Sequence, residues 1–331
     1  MYKHSKMFIS AAVVAAAMAP LGAQAPQTVP LQSVRDSGYL MFRSPDGAFA
    51  YWLDGRVQID AAVYKGGNTH LASGTDVRRA RMGWKATMFK NWHGEMDVDF
   101  AENGVDMKDM WIGYEGFKNQ LLKVGNFREP FSLETMTSSK YITFLERSYI
   151  DNFSPDRRMG MSYTRWGNWY QTSVGLFGQE IGTVDATAAS EGWAMTGRFV
   201  ASPIHQDGKV VHLGLALSRR TPDAAAGVDT HTVRFRARPE TDLSKVRFLT
   251  TGKVRGVDHT SYYNFEFSSV YGPFTLQSEY TRVALRKLVD TLDSPTFDGF
   301  YVTGSWFLTG ETRPYLMEEG EYGRIFPKHE S

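Results

Sequence analysis

The 331-residue chain contains no cysteine, which excludes disulfides, thiolate metal sites and cysteine nucleophiles. It also lacks a charge excess: 37 Lys and Arg face 36 Asp and Glu, for a formal net charge of +1. Binders of polyphosphate chains concentrate a basic surplus on one face, so nucleic acid is not expected as a partner. Long apolar runs are scarce too. The one that stands out, Met7 to Ala19, follows Lys3 and Lys6 and is too short to cross a bilayer as a helix. That layout is a signal peptide, read here as residues 1–25 with Ala23 and Ala25 at the cleavage spacing, and it implies export. The eight histidines show no metal-ligand spacing, and neither a glycine-rich phosphate loop nor a serine in a nucleophile elbow occurs. Accordingly no metal, no cofactor and no catalytic residue is expected.

What the chain does have is rhythm. From about residue 49 it divides into segments of about ten residues with period-two alternation, the pattern of transmembrane β-strands. Over 76–89, Ala80, Met82, Trp84, Ala86 and Met88 share one face, and Arg79, Arg81, Gly83, Lys85 and Thr87 share the other. Over 92–101, Trp92, Met96, Val98 and Phe100 oppose His93, Glu95, Asp97 and Asp99. Tight connections at 89–91, 115–116, 166–168 and 271–273 alternate with longer stretches, and aromatic residues cluster at strand ends, as a girdle at the headgroup level requires. The expected fold is all-β, an antiparallel transmembrane β-barrel. Strands are placed at 55–65, 76–89, 92–101, 106–115, 119–127, 158–165, 169–178, 192–202, 209–219, 231–239, 260–271, 273–284 and 297–308, with a weak fourteenth near 246–252. A 26–48 segment on the periplasmic side precedes the barrel, which runs over 49–331. A secreted soluble β-protein shares the alternation but turns its apolar face inward.

Orientation follows from energetics. A cation facing lipid near the bilayer midplane costs about 2–4 kcal/mol, so Arg79, Arg81 and Lys85 should face a lumen. The neighbouring strand then points Glu95, Asp97 and Asp99 inward, setting an acidic lumen face beside a basic column. In the long connection at about 128–157, bracketed by Pro130 and Pro155, Glu146 with Arg147 and Asp156 with Arg157 and Arg158 are read as internal ion pairs that pin the loop.

The stretch VGNFREPFSLETMTSSKYITFLERSYIDNFSPDRRMG, from Val124 to Gly160, resembles the phosphate-selective porin O and P family, as do DVRRARMG at 76–83, VRFRARPE at 233–240, VYGPFTLQSEY at 270–280 and LTGETRPY at 308–315. The resemblance implies a bacterial outer-membrane porin. Its barrel has about 16 strands, assembles as a homotrimer among lipid and lipopolysaccharide, and folds its third loop into the lumen. It further implies that Arg78, Arg79, Arg81, Arg128 and Lys140 attract small anions. Five basic and five acidic residues between Arg128 and Arg158 favour general anion passage over phosphate specificity. The chain stops at PKHES, where the family continues through more strands, so C-terminal strands are expected to be missing. The competing expectations are a plugged outer-membrane barrel acting as enzyme or adhesin, and a porin fragment without function.

Overall fold

The computed structural model describes residues 32–36, 39–101, 104–181, 191–222, 231–289 and 293–328; the expected signal peptide lies outside them. Among the described residues, fourteen strands form one antiparallel sheet. They are β1 (Gln32–Asp36), β2 (Tyr39–Arg43), β3 (Ala50–Ala62), β4 (Gly74–Met88), β5 (Trp92–Asp99), β6 (Asp106–Tyr114), β7 (Gln120–Arg128), β8 (Arg157–Trp166), β9 (Tyr170–Phe177), β10 (Ala194–Gln206), β11 (Lys209–Arg220), β14 (Val257–Tyr271), β15 (Phe274–Lys287) and β16 (Thr296–Trp306). Each pairs with its neighbour in that order, and among the described residues β1 and β16 pair on one side each, so the sheet is open between them. Two further hairpins stand apart from the sheet: β12 (Arg236–Ala237) with β13 (Leu249–Thr250), and β17 (Tyr315–Leu316) with β18 (Glu321–Tyr322).

Alternation along the strands separates an apolar outside from a polar inside. On β3 the outward Leu53, Val57 and Ile59 are exposed; on β14 Tyr263, Phe265 and Phe267 are exposed, whereas Asn264, Glu266 and Ser268 between them are buried. A water-soluble sandwich would invert this assignment. The arrangement suits a lipid-facing wall around a polar interior, where paired strands satisfy the backbone groups that hydrocarbon cannot. At the end of the sheet with the short turns, rings gather in pairs: Phe49 with Phe89, Trp92 with Tyr114, Trp169 with Tyr170, and Phe274 with Trp306. These form the interfacial band that amphipathic rings favour.

The expected strand number and the observed one agree, but two members differ. The stretch expected ahead of the barrel carries β1 and β2, with Met41 of β2 opposite Trp52 of β3. Its Tyr-Leu-Met-Phe run has the aromatic and aliphatic character that pleated surfaces favour. Conversely, 231–239 and 246–252 are not wall strands. Val233 and Phe235 do alternate with arginines, but Phe235 packs on Phe153, Tyr262 and Phe297, so the apolar side of the β12–β13 hairpin covers the interior instead of meeting lipid.

Bulges interrupt the pairing on β4 and on β10. Gln58 pairs with Arg79 while the adjacent Ile59 pairs with Val77, which leaves Arg78 as an extra residue on β4. A bulge of this kind re-aims side chains, and here both Arg78 and Arg79 reach the interior. On β10 the register slips between Ala201 and Ile204, where Pro203 lacks the N–H that an unbroken ladder would use.

The β7–β8 loop, residues 129–156, turns inward. It holds a single helical turn, α1 (Leu133–Met136), and a 3-10 turn at Tyr149–Phe153. Phe131 packs with Tyr262, Val283 and Leu285, and Leu133 packs with Val200, Val210 and Val270. The apolar core of the molecule therefore lies between this loop and the inner wall.

Candidate functional site

Among the described residues, the interior holds neighbouring cavities of about 810 and 590 Å³. The larger lies toward the short turns and includes His93, Glu115 and Trp166 in its lining; the smaller lies beneath the long loops and includes Ser148, Asn152 and Thr241. Among the described residues, the ones that line both are Arg81, Arg128 and Arg157. They form the junction between the two chambers.

Each junction arginine has a carboxylate beside it. Arg81 Nε donates to Asp99 at 2.7 Å across the β4–β5 ladder, where the two residues are register partners. Arg157 donates twice to Asp109, at 2.9 and 2.6 Å. Arg128 lies 3.7 Å from Asp156 and donates through Nη1 to the Met136 carbonyl at 2.9 Å. Among the described residues, Arg81 Nη1 and Arg56 Nε are buried and make no hydrogen bond.

The basic column and the acidic face run side by side and largely neutralise one another. Lys85 contacts Glu95 at 3.1 Å and Asp54 at 3.8 Å, and Arg56 stands 3.7 Å from Asp97. Glu95, Asp97 and Asp109 come close enough to suggest a cation site, with carboxylate oxygens within 4.8 Å of one another. However, Lys85, Arg56 and Arg157 already supply their positive partners. The group is a rung of the salt-bridge ladder.

The loop pairs differ from those expected. Glu146 does not pair with Arg147; it meets Arg78 and Arg79 of the wall, the latter at 3.3 Å. Arg147 is engaged by loop carbonyls, and the β4 bulge delivers two guanidinium groups to the Glu146 carboxylate. Burial disfavours the charge on Glu146, but the hydrogen bond and charge of Arg78, with Arg79 behind it, hold its carboxyl below the ordinary range. Arg147 instead binds the Glu134 and Thr137 carbonyls at 2.8 and 2.7 Å and tightens the loop on itself. Asp156 and Arg157 do pair, at 3.3 Å, while Arg158 turns to Glu180. Lys140 reaches Asp54 on the wall at 2.5 Å.

Sequence reasoning passed over Lys123, which lines the larger cavity with its ammonium 4.2 Å from the Trp111 ring centre. The energetic rule that turned Arg79 inward applies equally to a lysine in the middle of β7 and would have found it. Also missed was Glu279 of β15, whose carboxylate accepts the backbone N–H groups of Leu133 and Glu134 at 3.1 and 2.8 Å and so anchors α1.

Glu134, next to that anchor, sits in the loop with its carboxyl pushed up to about 8 by burial, with the Glu279 and Asp151 charges adding to it. A carboxyl whose folded value lies above its unfolded one stabilises the fold fully below about 4.5 and loses that contribution as pH rises through about 8. Single-channel noise from loop motion should therefore grow between pH 7 and 9 and flatten in Glu134→Gln. A Gln variant with the same pH dependence as wild type would assign the noise to another group.

A family model for "Phosphate-selective porin O and P" matches residues 52–328. The chain belongs to that family. Among related sequences, Porin O of Pseudomonas aeruginosa is 25% identical, covering 99% of this chain and 80% of its own length. A protein of Caulobacter vibrioides is 28% identical, with 88% of this chain and 59% of that protein covered. A solved structure of OmpT, an outer-membrane protein of Vibrio cholerae in trimer form, aligns over 84% of this chain and 93% of that one at a TM-score of 0.37 and 7% identity. Family membership and the apolar outer wall put this porin in the bacterial outer membrane. The two cavities joined at three arginines are its interior.

Proposed function

We propose that this porin conducts small anions by passive diffusion, entering beneath the long loops and passing the Arg81, Arg128 and Arg157 junction. The observation that carries this reading is that the residues shared by the two chambers are all arginines. A guanidinium offers several N–H donors in a fixed fork, which can replace part of an anion's hydration shell as it passes. The upper chamber adds to the bias, with nine basic and seven acidic residues in its lining, Arg78, Arg79 and Arg147 among the former. Lys85 and Lys140, both held by Asp54, serve mainly to neutralise the wall.

Because every junction arginine also has a carboxylate partner, the pathway suits anions in general and favours no fixed phosphate site. The working form on this reading is a homotrimer set among outer-membrane lipid and lipopolysaccharide. Reversal potential in planar bilayers under a salt gradient tests the reading. Wild type should be anion-selective, and Arg81→Gln with Arg157→Gln should lower the anion-to-cation permeability ratio by about tenfold, the scale expected for two charges a few ångströms from the path. Cation preference in wild type, or inserted protein with no stable open state, overturns it.

A further inference from the structure

After β16 the chain turns back from the short-turn end and enters the interior. One side of this C-terminal segment is fixed firmly. Thr312 donates to the Gly272 carbonyl at 2.7 Å, Arg313 to the Tyr141 carbonyl at 2.7 Å, and Arg198 of the wall to the Gly320 carbonyl at 2.9 Å. Tyr315, Met317 and Tyr322 complete the apolar cluster that includes Leu133 and Val200. Gly320 closes the β17–β18 hairpin at φ +62, with a Cβ at that position meeting Arg198 Nη1 at 3.0 Å, so glycine suits the turn on both counts.

The other side faces the larger cavity. There Glu318 and Glu319 are exposed to the lumen; desolvation inside the barrel raises the Glu319 carboxyl, and the fields of Lys123 and Lys85 oppose that rise. Without the C-terminal segment, the cavity lining has seven bases and five acids; the segment itself brings three acids and one base. The lining outside the segment thus has a formal excess of two positive charges, and the segment has a formal excess of two negative ones. Lys123 is the cation most open to this effect, because among the described residues it shows no carboxylate in ion-pair contact and is held by the Trp111 face instead.

We infer that the C-terminal segment is a resident counter-charge, and that Glu318 and Glu319 set the ion selectivity of the inner chamber by competing with permeating anions for Lys123. The proposal rests on the anion-pathway reading, since a counter-charge matters to transport only where ions pass. In this arrangement the upper chamber selects for anions and the inner chamber weakens that preference, which shortens the residence of an anion on its way out.

The test is this chain carrying Glu318→Gln and Glu319→Gln. Both residues are exposed, so the substitution removes charge and leaves the packed side of the segment intact. In planar bilayers the anion-to-cation permeability ratio should rise about two- to threefold, a shift that shrinks as ionic strength grows. A conducting variant with an unchanged ratio overturns the inference while leaving the anion pathway standing. A second readout does not depend on conduction: an anionic and a neutral amine-reactive ester are compared for labelling of Lys123 in detergent, read by peptide mass spectrometry. The anionic-to-neutral labelling ratio should rise about two- to threefold in the variant. If wild type proves silent in bilayers, the pathway reading fails by that result, and an unchanged labelling ratio then removes the counter-charge as well.

Discussion

Glu266→Ala is expected to destabilise the folded chain by about 3–5 kcal/mol, the cost of leaving buried charge without its partner. The side chains of Arg198, His212 and Glu266 are all fully buried. Arg198 donates to the Glu266 carboxylate through Nε and Nη2, at 2.9 and 2.6 Å, and His212 Nε2 is hydrogen-bonded to the same carboxylate at 2.9 Å. Gly214 stands opposite Glu266 on β11, and a Cβ there would meet the Glu266 carboxylate at 2.5 Å, so the absence of a side chain makes room for the charge. The network continues into the C-terminal segment through Tyr315, whose hydroxyl is hydrogen-bonded to His212 Nδ1 at 2.6 Å. Loss of Glu266 strands Arg198 in the interior and loosens the segment at two points. The measurement is the urea midpoint for loss of heat-modifiable migration. Arg198→Met combined with Glu266→Leu removes both charges and should recover much of the loss, because an apolar pair of similar size avoids the desolvation cost. If Glu266→Ala unfolds at the wild-type midpoint, the triad contributes no net stability.

How much of this was legible beforehand depended on how local the signal was. Period-two alternation involves neighbours only, so the wall strands from β3 to β11 and from β14 to β16 can be read within a few residues of their observed ends, and so can the inward face of Arg79, Arg81 and Lys85. The rungs Arg81–Asp99 and Lys85–Glu95 follow from that once adjacent strands are paired in register. Other features are not local. Glu146 finds Arg78 at a separation of 68 residues, and Arg313 finds Tyr141 at 172. No spacing rule encodes such contacts, because they depend on where a folded loop or segment comes to rest. The hairpin at 233–250 misleads for a related reason: alternation reports that one face is apolar, without saying whether that face meets lipid or an interior such as Phe153 and Tyr262. The bulge at Arg78 is hidden as well. Strict alternation turns Arg78 outward, and the extra residue on β4 brings it to Glu146.

The second large effect is expected from Glu279→Ala, which should release the β7–β8 loop from the far wall. The Glu279 carboxylate is buried and accepts four hydrogen bonds from separate parts of the chain: two α1 backbone N–H groups, Asn264 at 3.1 Å and the Tyr301 hydroxyl at 2.6 Å. Alanine leaves these donors without an acceptor, at about 1–3 kcal/mol for each that water cannot reach. The loop would still be tied to the β4 side through Arg78, Arg79 and Glu146 and through Lys140 and Asp54, so it should swing about that attachment while the wall stays intact. Limited proteolysis should then cut between residues 129 and 156 at least tenfold faster than in wild type, as expected when local opening becomes easier by more than about 1.4 kcal/mol. Open-channel current should become larger and noisier. Glu279→Gln retains one carbonyl acceptor and should fall between the two. Removing Glu279 also takes away one of the charges that keeps the Glu134 carboxyl high, so the pH range of loop noise should move down toward ordinary carboxylate values. A Glu279→Ala loop as resistant to protease as wild type would mean that the Phe131 and Leu133 packing holds it in place without the carboxylate.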